Sequence, residues 1–127
     1  MNANETLLRD MDQAMLRRDM DAYWAAHTDD VVVHIAGTSS LAGVVKGVDQ
    51  LQALFARFAE RAGQWTFEPH EYFANDEHGV ALQKSHFDRD GKHLDTEDIF
   101  VCHFRDGKIA EFWLVSGNQA EFDAFID

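Results

Sequence analysis

Apolar residues recur along the first part of the chain at the spacing of a helix. Leu8, Met11 and Met15 stand at i, i+3 and i+7, and the polar positions between them are expected to face away. Asn4 is placed to cap this helix. Asp19 is placed to cap a second, with Asp21 in its first turn and Ala22, Tyr23 and Ala26 on a short apolar side. A strand is expected at Val31-Val32-Val33-His34-Ile35, followed by a loop of small residues from Ala36 to Lys46. Gly47 then opens a third helix whose Val48, Leu51, Phe55, Phe58 and Ala62 mark one face, and Gly63 stops it.

From Trp65 the period changes to that of strands. Three turn segments, Asn75 to Gly79, Asp88 to Gly91 and Arg105 to Gly107, separate four extended runs, which predicts an antiparallel meander. Pro69 lies inside the first run and marks an edge or a bulge, because proline cannot donate to a ladder. Asn118 and Glu121 stand at capping-box spacing before Phe122, Phe125 and Ile126, predicting a last helical turn or two over the sheet. Helices early and strands late indicate one α+β domain over residues 1–127, a curved antiparallel sheet wrapped by the N-terminal helices.

The last two long runs are apolar on both faces. One alternate set reads Leu94, Thr96, Asp98, Phe100, Cys102, Phe104, then Ala110, Phe112, Leu114 and Ser116. The other holds Ile99, Val101, His103, Ile109, Glu111, Trp113 and Val115. Helices can cover one side of so short a sheet. A second copy of the chain, meeting it at Ile99, Val101, Trp113 and Val115, is the expected cover for the other, with the C-terminal segment as the alternative.

Composition narrows the partners. The chain carries 11 Lys and Arg against 23 Asp and Glu, a net charge of −12, with the acidic residues spread along its length. Nucleic acid and anionic membranes reward clustered positive charge and are not expected partners. A single cysteine, Cys102, cannot close an intrachain disulfide. The first residues lack the basic start and apolar run of a signal peptide, so a cytoplasmic protein is expected.

Three segments carry a resemblance. They are Asp29 to Gly37, the loop Leu41-Ala42-Gly43 leading to Lys46-Gly47-Val48-Asp49, and the terminal run Arg105 to Trp113. Together they resemble the SnoaL-like branch of the nuclear transport factor 2-like superfamily, over Met20 to Phe125. The resemblance implies a cystatin-like α+β roll, a cone whose concave sheet face and helices enclose a ligand pocket and whose convex face makes a homodimer. It also implies no cofactor.

Relatives include ketosteroid isomerases, limonene epoxide hydrolases and polyketide cyclases. The isomerase tyrosine falls at Met11, its base near His34 or Ile35 and its second aspartate near Phe100. The hydrolase asparagine falls at His34, its arginine at Lys84, its aspartates at His86 and Leu114. Neither set is preserved.

The polar groups then expected on the concave side are His34, Lys84, His86 and Asp98, with Thr96 and Cys102 behind them. The run from Val80 to Phe87 does not decide its own parity, because its two alternate sets are each half apolar. His34 is the expected general base, with His86 and Asp98 as cross-strand partners. These three come from separate strands without local ligand spacing, so no metal is expected. Tyr23, Phe55, Phe58, Phe100, Phe112 and Leu114 are expected in the pocket wall, together with Lys84 and Cys102, and favour a hydrophobic small molecule. The expected function is an isomerase, lyase or cyclase acting by acid–base chemistry on an oxygenated metabolite; the alternative is a non-catalytic binding or dimerisation module of the same fold.

Overall fold

A computed structural model describes residues 2–127. Two helices, α1 (Ala3–Leu16) and α2 (Met20–Ala25), precede the strands β1 (His27–Ile35) and β2 (Gly43–Lys46). Helix α3 (Val48–Ala62) follows. Then come β3 (Gln64–Ala74), β4 (His78–Arg89), β5 (Lys92–Arg105), β6 (Lys108–Ser116) and the closing helix α4 (Gln119–Ile126). The six strands form one curved sheet in the order β2-β1-β6-β5-β4-β3. Every neighbouring pair is antiparallel except β1 and β6, which run parallel.

Local chemistry explains the element ends. Asn2, and not Asn4, caps α1, its side chain accepting the Asn4 N–H at 2.8 Å. Asp19 caps α2 by accepting the Ala22 N–H at 3.2 Å. Asp90-Gly91 and Asp106-Gly107 all take positive φ, the conformation two-residue hairpins demand. Strand β3 lies at the sheet edge and shifts register between Pro69 and Glu71, where proline interrupts the ladder.

Three expectations differ from the structure. β1 begins at His27, four residues early, because His27 pairs in parallel with Ile109 of β6 ahead of an irregularity that ends at Val32. β2 forms inside the expected loop as a short edge strand paired with β1. Asn118 occupies the N-cap position of α4 without a capping bond; its side-chain amide donates to the Asp95 carbonyl at 3.1 Å.

Strand alternation splits the sheet into two faces. Val31, Val33 and Ile35 of β1, Ala81, Gln83, Ser85 and Phe87 of β4, and Thr96, Asp98, Phe100 and Cys102 of β5 share the concave face with Phe112 and Leu114 of β6. Helices α1 and α3 pack over that face, burying Leu8, Met11, Leu51 and Leu54 against Val31, Val33, Phe100 and Ile109. Full burial of side chains of this size contributes about 1.5–3 kcal/mol each. A second cluster of Ala62, Phe87 and Phe125 closes the far end beneath α4.

Candidate functional site

A cavity of about 140 Å³ lies between the concave face and the helices. Its wall is mostly apolar, with Met11 and Met15 from α1, Leu51, Leu54, Phe55 and Phe58 from α3, and Phe100, Phe112 and Leu114 from the sheet. Tyr23 reaches it from α2 and Phe122 from α4.

Register creates a polar row across this apolar floor. Gln83 of β4 pairs with Asp98 of β5, and Asp98 pairs with Ser116 of β6, so three polar side chains stand side by side on adjacent strands. One step along, the Ser85 hydroxyl donates to Asp98 Oδ2 at 2.7 Å, and Trp65 Nε1–H donates to the Ser85 hydroxyl at 3.2 Å. The relay Trp65 to Ser85 to Asp98 ends on a carboxyl group. Burial raises the Asp98 pKa, and the Ser85 bond offsets part of that rise.

A second carboxyl group enters from α1. Asp12 is 6% exposed, lines the cavity, and accepts the Tyr72 hydroxyl at 2.7 Å. Burial pushes it up to about 6, against the opposing pull of the Tyr72 bond. The nearby Tyr23 hydroxyl is held protonated by burial and by the charge of Asp12. Behind Tyr23 stands His27, 2% exposed, its Nδ1 3.0 Å from the Tyr23 carbonyl oxygen and its Nε2 without a partner among the described residues. Burial lowers its pKa to about 4, so the ring is neutral.

The structure places the expected site residues on both faces of the sheet. Asp98, Tyr23, Phe55, Phe58, Phe100, Phe112 and Leu114 lie at the cavity. His34 does not. Alternation along β1 turns Val33 and Ile35 inward and His34 outward, where its ring stacks on Trp113 at 4.6 Å and its Nε2 lies 2.7 Å from Glu111 Oε2. Lys84 and His86 are also on the convex side, because the pairing of Ser85 with Thr96 commits the odd-numbered residues of β4 to the interior. His86 sits between Asp95 and Glu68 at 2.7 and 2.6 Å, on the face opposite the cavity, and its register partner Asp95 is three residues along β5 from Asp98. Cys102 points inward but is wholly buried beneath the floor, beside Gly79, and burial pushes its thiol up to about 12.

Asp12, Gln83, Ser85, Trp65, Ser116 and Gln119 are cavity residues that the sequence reading passed over. Asp12 carried a usable signal, since it stands four residues after Leu8 and therefore on the apolar stripe of its helix. Ile99, Val101, Trp113 and Val115 share the convex face, where Ile99 and Val115 are 38% and 37% exposed.

The model of the SnoaL-like domain matches residues 8–112. The chain belongs to the SnoaL-like family. No curated protein matches its sequence. Among solved structures, this SnoaL-like chain is similar to a nuclear transport factor 2-like protein of unknown function from Burkholderia pseudomallei, at 22% identity and TM-score 0.90 over 99% of this chain and 98% of that one. It is similar to TerC co-crystallised with polyporic acid, at 16% identity and TM-score 0.88 over 98% of each chain. It is also similar to RV0760c from Mycobacterium tuberculosis in complex with estradiol-17β-hemisuccinate, at 18% identity and TM-score 0.74 over 90% of this chain and 93% of that one. At these identities the likeness is one of fold. No helix among the described residues is long and apolar enough to cross a membrane.

Proposed function

We propose that this SnoaL-like protein binds an apolar, oxygen-bearing small molecule and acts on it by acid–base chemistry of the isomerase, lyase or cyclase kind, without a cofactor. The observation that carries the reading is the placement of two carboxyl groups, Asp12 and Asp98, in one aromatic cavity, both with pKa raised by burial. A carboxyl group poised near 6 is ionised at neutral pH yet basic enough to accept a proton from carbon, which suits Asp12 to the role of general base. Asp98, fixed by Ser85, then stands as the partner that binds or protonates the substrate oxygen. His34 and His86 take no part, since both project from the opposite face. Two structural neighbours whose complexes hold polyporic acid and estradiol-17β-hemisuccinate support an oxygenated ring compound as ligand.

A homodimer through Ile99, Val101, Trp113 and Val115 belongs to the same reading, supported by the exposure of Ile99 and Val115 on an otherwise folded sheet. So does a reducing, cytoplasmic setting, supported by the single buried thiol of Cys102.

Proton exchange tests the chemistry without knowledge of the natural substrate. The protein is expected to catalyse exchange of the α-protons of cyclohexanone for deuterium in D₂O. Asp12→Asn and Asp98→Asn are each expected to lower the rate by about 100-fold or more, and His34→Ala to leave it unchanged. Binding of cyclohexanone without exchange would replace the enzyme with a ligand-binding module of the same fold. Failure to bind it would remove the oxygenated-ligand reading as well.

A further inference from the structure

The charge of the cavity wall is one-sided. Two carboxyl groups line it, Asp12 and Asp98, and among the described residues no lysine, arginine or histidine does. The two carboxyl groups are not equivalent. Asp12 is already engaged by the Tyr72 hydroxyl at 2.7 Å, and the Arg9 guanidinium lies over the ring of that tyrosine, 4.7 Å from its centre. Asp98 has only neutral donors. Ser85 occupies its Oδ2, and Gln83 and Ser116 flank it on the neighbouring strands. Two residues away on the same face of β5, the buried hydroxyl of Thr96 is a further neutral group beside this carboxyl.

Around this carboxyl group the wall is aromatic. Nine rings line the cavity, and Phe100 and Phe112, 4.8 Å apart, belong to the floor itself. Aromatic faces attract a cation electrostatically, and a desolvated carboxylate pairs with one strongly. The same wall repels an anion twice over, through like charge and through the cost of desolvating it without a partner. A net charge of −12 raises the local concentration of cations around the whole molecule.

We propose that the oxygen-bearing ring compound of the preceding reading also carries a protonated amine, whose ammonium group pairs with Asp98 while the ring lies among the aromatic side chains. This deepens the preceding reading and rests on the same cavity. It assigns Asp98 to substrate anchoring and leaves Asp12 as the proton-transferring group. A cavity of about 140 Å³ accommodates a single six-membered ring, since an apolar cavity of about 150 Å³ binds benzene.

The test compares benzylamine, benzyl alcohol and benzoate, which share a ring and differ in charge, by calorimetric or NMR titration at pH 8. Benzylamine is expected to bind about 10-fold or more tightly than benzyl alcohol, and benzoate to show no saturation. In Asp98→Asn the amine is expected to lose at least about 10-fold, and the alcohol less than about 3-fold. His34→Ala, altered on the opposite face of the sheet, keeps the preference for the amine. Equal or tighter binding of the alcohol by the unaltered protein overturns the proposal, as does an amine preference that survives Asp98→Asn in a variant whose circular dichroism is native. Because binding is read without turnover, absence of cyclohexanone exchange leaves this result standing, and loss of the amine preference leaves exchange standing.

Discussion

The Tyr72 hydroxyl donates to Asp12 Oδ2 at 2.7 Å across 60 positions of sequence, joining the first helix to the edge strand β3 at the wall of the cavity. The bond does two things. It satisfies a buried carboxyl group, and it holds the pKa of that group below the value burial alone would set. Tyr72→Phe is therefore expected to raise the Asp12 titration midpoint further, and to cost about 1–3 kcal/mol of stability through the acceptor left unpaired. Carbon-detected NMR titration of the Asp12 carboxyl group and chemical denaturation read the two effects separately. A midpoint that moves down would show that the hydroxyl does not act on Asp12.

Asp12 also makes stability depend on pH in a definite direction. Its pKa rises on folding from 3.8 to about 6, so between these values the folded chain holds more protons than the unfolded one. The stability this group contributes is present below the lower value and lost as pH rises through the upper. Asparagine does not titrate. The stability of Asp12→Asn relative to the unaltered protein is expected to grow between pH 4 and 7, by about 3 kcal/mol at about 1.4 kcal/mol per pH unit. Urea denaturation at a series of pH values measures it, and a difference that stays flat would contradict the burial of the charge.

His27 works in the opposite sense over a similar window. Its pKa falls on folding from 6.5 to about 4, so the unfolded chain binds the extra proton and stability rises with pH between these values. His27→Gln is expected to remove that rise, leaving stability to fall with pH under the influence of Asp12 and Asp98. Thermal denaturation between pH 4 and 7 would show the change of slope; an unchanged slope would mean that the ring is not held neutral.

The convex face gives a prediction about assembly. Replacing Ile99 and Val115 together by lysine is expected to convert the proposed dimer into a folded monomer, because both are exposed on the convex face of the single chain. Light scattering reads the mass, and a monomeric unaltered protein at micromolar concentration would remove the interface.

Gly63 marks a point where the backbone tolerates no side chain. Its φ is +69°, and an added Cβ would lie 2.3 Å from the Asp88 carbonyl oxygen. Gly63→Ala is expected to cost about 2 kcal/mol or more, through both the dihedral and the clash. Denaturation measures the loss, and a change below 0.5 kcal/mol would argue for a different path between α3 and β3.

The architecture was legible in the sequence because the turns declare themselves, with Asp90-Gly91 and Asp106-Gly107 in positive φ and Pro69 at a break in register. The faces were harder to read. Where both alternate sets of a strand are half apolar, as from Val80 to Phe87, parity is settled only by the neighbouring strands, and here the pairing of Ser85 with Thr96 settles it. That one step sends Lys84 and His86 outward and brings Gln83 and Ser85 to the cavity. His34 followed a family position and not the alternation of its own strand, in which Val33 is buried and its neighbours cannot be on the same side. Asp12 was hidden by its type, since a carboxylate on an apolar stripe reads as a boundary until a partner such as Tyr72 is visible.

The parallel pairing of β1 with β6 joins His27 to Ile109, and Ile35 to Leu114, at a separation of about eighty residues. The chain must close that loop before the centre of the sheet exists, and loop closure is a cost met before any of the contacts it permits are made. The hairpins from β3 to β6 need no such closure and can form from local contacts. The first strand is thus synthesised early and seated late, and until β6 emerges the apolar residues Val31 and Val33 have no strand on one side. A nascent chain in that interval exposes an apolar strand edge, the feature that makes incomplete chains prone to aggregate.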